Sequence, residues 1–316
     1  MNTPAATDAC ADIDTAAVVA GVDGSPTAIR AAQWAAVAAA ARRTPLQLMH
    51  VARRPALLHS SAVLAEARQA VIDRWSRTTH TPAPEITELT LVGDPATALI
   101  ELSASGSEVV VGSVGHSYAA QTMLGSVASA VAAAAHSPVT VVRPLRCAAS
   151  AVGPILVVID PVNPGAAAAL TAGMRAAQER VTDVVVVELT RAGAAASATA
   201  GALEALVAEL RVRFPSVRTS MITYFGHART ALERFSSTAQ LVVVVRDHRT
   251  LWPPQHGMGR TALGHTRCAV SVVPAPAALP TGIDRFLAYA RVEADRVFAR
   301  PDRRHRAALG QGAVTR

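Results

Sequence analysis

The residues best placed to do chemistry lie in one stretch, Val109 to Val127, VVVGSVGHSYAAQTMLGSV. Three β-branched residues, Val109 to Val111, predict a short buried strand. Gly112-x2-Gly115 follows, then nine residues, then Gly125-Ser126. An alanine-rich run after Ser126 predicts a helix. A strand, a glycine-bearing loop and a helix start together present backbone N–H groups to a phosphate. Glycine leaves no Cβ between amide and ligand. Ser126 adds a hydroxyl, and the helix start adds its partial positive charge. The spacing fits neither the phosphate loop ending in GK[ST] nor the dinucleotide GxGxxG. Taken one at a time, these glycines are also what a flexible turn would contain.

The elements around that loop must bring other groups to it. Val18 to Gly21 lies in an apolar run, Ala16 to Val22, that reads as a buried strand and ends at Asp23-Gly24-Ser25-Pro26. Ser25 is a good N-cap and Pro26 suits the first helical position. That helix runs to Arg42-Arg43 and stops at Thr44-Pro45. Strands are predicted over 46–51, 86–92 and 139–142. Helices are predicted over 61–77, where Leu64, Ala67, Val71 and Trp75 form one apolar face, from Pro95 behind an Asp94 cap, and after Ser126. Strict alternation of strand and helix implies an α/β fold with a doubly wound, mostly parallel sheet and helices on both faces. Asp23, Val51, Gly93 and Gly112 then fall at the carboxyl ends of strands, the edge where such sheets bind ligands.

The pattern repeats. Pro154 to Asp160 echoes the first strand and its Asp, and strands at 184–189, 219–224, 241–245 and 269–273 match the rest. The expectation is two tandem five-stranded units, over 16–146 and 154–276. A leader (1–15), a linker (147–153) and an amphipathic helix with a basic tail (277–316) complete the chain. Packing against a domain is the favoured role of that last helix, with partner docking as the other reading. The second unit is degenerate: Val245 stands where Gly112 would be and His248 where Gly115 would be.

Composition narrows the class. The chain has 316 residues, 51% of them hydrophobic but only 3% aromatic, so its cores must be aliphatic. Net charge is +7, and every one of the 30 basic residues is arginine. Residues 281–316 hold eight arginines against four acids, a solvated tail rather than a basic face interleaved with aromatics, so nucleic acid is not the expected partner. No apolar run approaches about 20 residues, so no membrane span is expected. Cys10, Cys147 and Cys268 are odd in number and widely spaced, which points to a reducing, cytoplasmic setting. His248, His256 and His265 match no compact zinc spacing; surface-loop histidines are the expectation. No GxSxG elbow or paired carboxylates mark a catalytic centre.

Gly112-x2-Gly115-x9-Gly125-Ser126, with Val18 to Ser25 upstream, resembles the ATP-binding signature of the universal stress protein family, whose fold is of the adenine-nucleotide alpha hydrolase-like kind. The resemblance implies ATP, with Mg²⁺, in the first unit. Asp23 and Val51 would flank adenine and ribose, and Gly112, Gly115, Gly125 and Ser126 would hold phosphates. Gly21 and Gly24 of the first turn, His116 inside the loop and Val127 at the helix start complete the expected set. His116 has a second reading as a solvated loop residue. The implied role is a stress-response regulator acting through nucleotide-dependent conformation or a protein partner. A non-binding scaffold of the same fold, or a slow ATPase, are the alternatives. The apolar last strands of the two units are the expected place for pairing, within one chain or between two.

Overall fold

The computed structural model describes residues 17–52, 60–78, 82–105, 108–114, 124–144, 152–160, 163, 165–190, 196–246 and 257–275. The expected leader, most of the linker and the C-terminal helix and tail lie outside these residues. The first half runs β1 (Val18–Gly21), α1 (Pro26–Arg42), β2 (Leu46–Ala52), α2 (Ser60–Thr78), β3 (Ile86–Val92), α3 (Pro95–Ser103), β4 (Val109–Gly112), α4 (Ser126–Ala134) and β5 (Val139–Val142). The second half repeats it: β6 (Ile155–Ile159), α5 (Ala166–Arg180), β7 (Val184–Thr190), α6 (Ala196–Arg213), β8 (Thr219–Phe225), α7 (Ala228–Phe235), β9 (Leu241–Arg246), α8 (Met258–His265) and β10 (Ala269–Pro274).

Local chemistry sets the element ends. The Ser25 side chain accepts the Ala28 N–H (3.2 Å) and Pro26 opens α1. Arg43 takes a left-handed conformation (φ 56°) and closes the helix by donating to the Ala39 and Ala40 carbonyls. Asp94 caps α3 by accepting the Thr97 N–H at 2.9 Å, and Pro95 follows it. On α2 the residues Leu64, Ala67 and Val71 are buried, as their spacing predicts.

The two five-stranded units do not remain separate sheets. They fuse into one ten-stranded sheet of order β3-β2-β1-β4-β5-β10-β9-β6-β7-β8. Every pairing within a half is parallel; β5 and β10 pair antiparallel, with Val141 opposite Val270 and Thr140 opposite Ser271. This is the intramolecular form of the expected pairing, and it uses both apolar last strands. Those edges are therefore not open to a second copy of the chain. The outer edges are β3 and β8, most of whose residues are exposed or part-buried.

Alternate residues of each strand feed different cores. Val18 and Ala20 pack with α1 and α2, whereas Val19 packs with α3 and α4. On the α3–α4 face the core runs unbroken across the junction, from Val109 and Val141 to Val270 and Leu263. On the other face each half has its own core, and α1 meets α5 between them.

A charged cluster fills that meeting point. Arg42, at the end of α1, pairs with Glu108 just before β4 and with Glu179 of α5 (2.6 Å). Thr140 donates to Glu108 at 2.8 Å. Arg180 lies 3.4 Å above the centre of the Trp34 ring and donates to the Trp34 carbonyl at 3.2 Å. Burial pushes the Glu108 carboxyl up, but the Arg42 charge and the hydrogen bonds from Arg42 and Thr140 outweigh it and hold it below the ordinary range. Burial, helped by the Glu108 charge, pushes Glu179 the other way despite Arg42. Two arginines also stitch the halves: Arg143 donates to the Leu263 carbonyl of α8, and Arg246 to the Ala135 carbonyl after α4, each at a helix C-terminus where a cation is favoured.

Removing Arg42 strands two carboxylates. Breaking a fully buried pair costs about 3–5 kcal/mol; the Arg42 side chain keeps 24% exposure, so Arg42→Met should cost about 2–3 kcal/mol by urea unfolding at pH 7. The sign with pH follows from linkage. In the wild type, Glu108 contributes stability above its unfolded pKa and loses it as pH falls through the lower folded one. In the variant both carboxyls have raised folded values, so the folded state takes up protons and its deficit should shrink between pH 7 and 5. A deficit that grows on acidification would refute this account. Adding Glu108→Gln and Glu179→Gln to Arg42→Met should recover most of the loss.

Candidate functional site

A cavity of about 280 Å³ lies at the carboxyl ends of β1, β2 and β4. It sits where the strand order reverses. The chain steps from β1 outward to β2 and β3, then returns to β4 on the other side of β1. The helices after β1 and β4 leave on opposite faces, which opens a crevice between their N-termini.

Each wall comes from a different element. The end of β1 gives Gly21, and the turn after it gives Asp23 and Ser25. Met49 and Val51 of β2, with Leu99 of α3, make an apolar side. Gly112, Gly125, Ser126 and Val127 make the opposite side. The structure thus gathers Gly21, Asp23, Val51, Gly112, Gly125, Ser126 and Val127 from the expected set around one space. Gly24 is not in the wall. It shapes the turn with φ +82°, a left-handed conformation that glycine takes without strain. Gly115 and His116 lie outside the described residues.

Asp23 is exposed, and its Oδ1 accepts the Ser25 N–H at 3.0 Å, which fixes the turn. The Thr27 hydroxyl donates to the Val114 carbonyl, tying the start of α1 to the glycine loop. The loop closes on itself where the Gly125 N–H donates to the Ser113 carbonyl at 2.7 Å. His50 of β2 is half-buried and bonds the Val22 carbonyl through Nδ1 at 2.8 Å, steadying the end of β1.

Three helix N-termini border the cavity, and they differ in one respect. Side chains cap α1 and α3, through Ser25 and Asp94. The cap of α4 is Gly125, with no side-chain hydrogen bond. The Ser126, Val127 and Ala128 amides precede the helical ladder, whose first bond is Ser129 N–H to Gly125 C=O at 3.0 Å. They are the orphan donors of α4, and all three residues line the cavity.

Gly112 has a second duty that spacing does not reveal. A Cβ there would meet the Ala28 nitrogen and the Thr27 carbonyl carbon, both at 2.8 Å. Its absence lets the start of α1 close against the end of β4. The second half solves the same junction in reverse. Val245 is buried, and it packs where a Cβ on Gly165, the cap of α5, would sit, with Cγ1 2.3 Å from that position. Val245 fills core beneath a helix start.

Met49, Leu99 and Ser25 are wall residues that motif spacing did not nominate. Ser25 reads as a helix cap in sequence; only the crevice brings all three into one wall. Of the three separated histidines, His248 and His256 lie outside the described residues, and His265 pairs with Glu233 at 3.1 Å. Cys268 is buried, with burial pushing its thiol up to about 12. Among the described residues no helix is long and apolar enough to cross a membrane.

Fold and crevice define a tandem, Rossmann-like α/β protein with a ligand-sized cavity at the switch point of its first half. A family model described as "Universal stress protein family" matches residues 16–143. Universal stress protein Mb2028c of Mycobacterium bovis is 31% identical over 258 residues, covering 72% of this chain and 85% of that protein. Universal stress protein Rv2028c of Mycobacterium tuberculosis is 28% identical over 265 residues, covering 81% and 95%. The crystal structure of a universal stress protein from Archaeoglobus fulgidus matches the fold with a TM-score of 0.61 at 16% identity, over 83% of this chain and 97% of that one. The chain belongs to the universal stress protein family.

The Gly112 junction is testable. Gly112→Ala should destabilise the protein by about 1–3 kcal/mol, because the clash is with backbone and α1 must move. Urea unfolding within about 0.5 kcal/mol of wild type would show that α1 yields freely.

Proposed function

We propose that the first half binds ATP and that the protein works as a nucleotide-responsive regulator. The observation that carries this reading is the uncapped N-terminus of α4, whose Ser126, Val127 and Ala128 amides border a cavity that also holds Asp23. Orphan helix-start donors and the helix dipole favour phosphate. The Met49, Val51 and Leu99 side is apolar and suits the adenine face, and the exposed Asp23 carboxylate can accept from ribose hydroxyls or hold a Mg²⁺-bound water. Ser126 and the loop glycines would hold the phosphates. Gly115 and His116 belong to the same proposal.

Such a ligand would touch the Asp23 turn on one side and the Ser113–Gly125 loop on the other. It would therefore couple the two, and the outer surface of that loop would become nucleotide-dependent. A protein partner reading that surface would change ATP affinity by the same factor that ATP changes partner affinity. The second half, with Val245 and Gly165 packed at the corresponding junction, would keep the sheet and the pairing strand without the cradle.

Calorimetric titration of the full chain with Mg-ATP tests this. About one ATP per chain is expected, with affinity lowered at least tenfold by Gly125→Val, the loss of roughly one charge-assisted hydrogen bond. A folded wild type that takes up no ATP refutes the proposal, and two ATP per chain refute the silent second half.

A further inference from the structure

A second cavity, of about 210 Å³, lies between the two halves on the α1–α5 face. Its charge is one-sided. Arg30 and Trp34 come from α1, Arg74 from α2, Arg143 from just after β5, Arg180 from the end of α5 and Arg267 from just before β10. Among the described residues that line it, none is acidic. The nearest carboxylates in the charged cluster, Glu108 and Glu179, are both engaged by Arg42.

Gathering five guanidinium groups around so small a space is unfavourable in the absence of a counter-charge. The neighbours feel one another. Burial and then the Arg74 charge lower the pKa of Arg30. Burial lowers that of Arg180 to about 10 against the pull of Glu179 and Glu108, and Arg42 and Arg74 add to the lowering. Packing fixes part of the array: Arg180 is held over Trp34, and Arg143 is tied to the Leu263 carbonyl. Arg74 and Arg267 stand exposed at the mouth.

We propose that this cavity binds a small polyphosphate, the size of pyrophosphate or triphosphate, free or as the phosphate tail of a larger molecule. Guanidinium forks match phosphate oxygens two at a time. The cavity is smaller than the first and is lined chiefly by guanidinium groups, so it suits phosphate oxygens better than a nucleoside. Because the arginines come from both halves, the bound anion bridges them and stabilises their junction.

The test uses the full chain in a Gly125→Val background, which disables the first cavity, at about 0.15 M salt to screen loose surface binding. Titration with inorganic triphosphate and pyrophosphate should give saturable binding and a rise in Tm. Arg74→Ala and Arg267→Ala, both at exposed positions, should each weaken binding about tenfold. Arg74→Ala should also raise the Tm of the anion-free protein, since it removes a repelling charge. A purely structural arginine would lower it. ATP bound in this background with the same Arg74 dependence would identify a nucleotide tail as the source; triphosphate bound without ATP would identify the free anion. The proposal fails if neither anion binds a folded protein, or if binding survives both arginine variants unchanged. It also fails if binding occurs only when Gly125 is intact, which would place the anion in the first cavity.

Discussion

The antiparallel pairing of β5 with β10 is the constraint on which the rest of the molecule depends. A five-stranded parallel unit ends in an apolar strand, VTVV in one half and AVSVVP in the other, and such an edge invites another strand. Joining them buries both edges and makes one core continuous on the α3–α4 face. On the opposite face it brings α1 against α5. Arg42, Glu108, Glu179 and Arg180 can meet only because of that contact, and so can the arginines of the second cavity. The outer strands β3 and β8 are left at the edges, where most residues are exposed or part-buried and Arg68 pairs with Glu88 of β3 at 2.5 Å.

The two halves share a chain path and differ in what they do at the helix–strand junction. Small and large residues have exchanged places: glycine on the strand and Thr27-Ala28 on the helix in the first half, Val245 on the strand and Gly165 on the helix in the second. Either pairing fills the core. In the first half the glycine end of the strand borders the first cavity, beside the residues that lead to α4. Close packing therefore tolerates two solutions at this junction.

Charge is sorted by position as much as by amount. Among the described residues, the first cavity's wall offers backbone amides and the Asp23 carboxylate and no arginine. The second's offers guanidinium groups and no carboxylate. An all-arginine cation set suits the second kind of site and also the caps at the Leu263 and Ala135 carbonyls, because a planar, forked donor can be both buried and directional.

Much of this was legible in the residues. Alternating apolar runs, Ser25-Pro26 and Asp94-Pro95 caps and the repeat after residue 154 determined the strands, the helices and a parallel arrangement in each half, because caps and periodicity are local physics. The Gly112–Ser126 spacing and Asp23 pointed to the sheet edge at which the first cavity lies, because strand ends in such a sheet are fixed by topology. Tertiary structure alone decided three things. It fused the two sheets, since valine-rich strands carry no mark of their partner or register. It gave Met49, Leu99 and Ser25 places in a cavity wall, since their types also serve as core and cap. And it assembled Arg30, Arg74, Arg143, Arg180 and Arg267 around one space, since residues so far apart in sequence leave no spacing to read; only the packing of two halves brings them together.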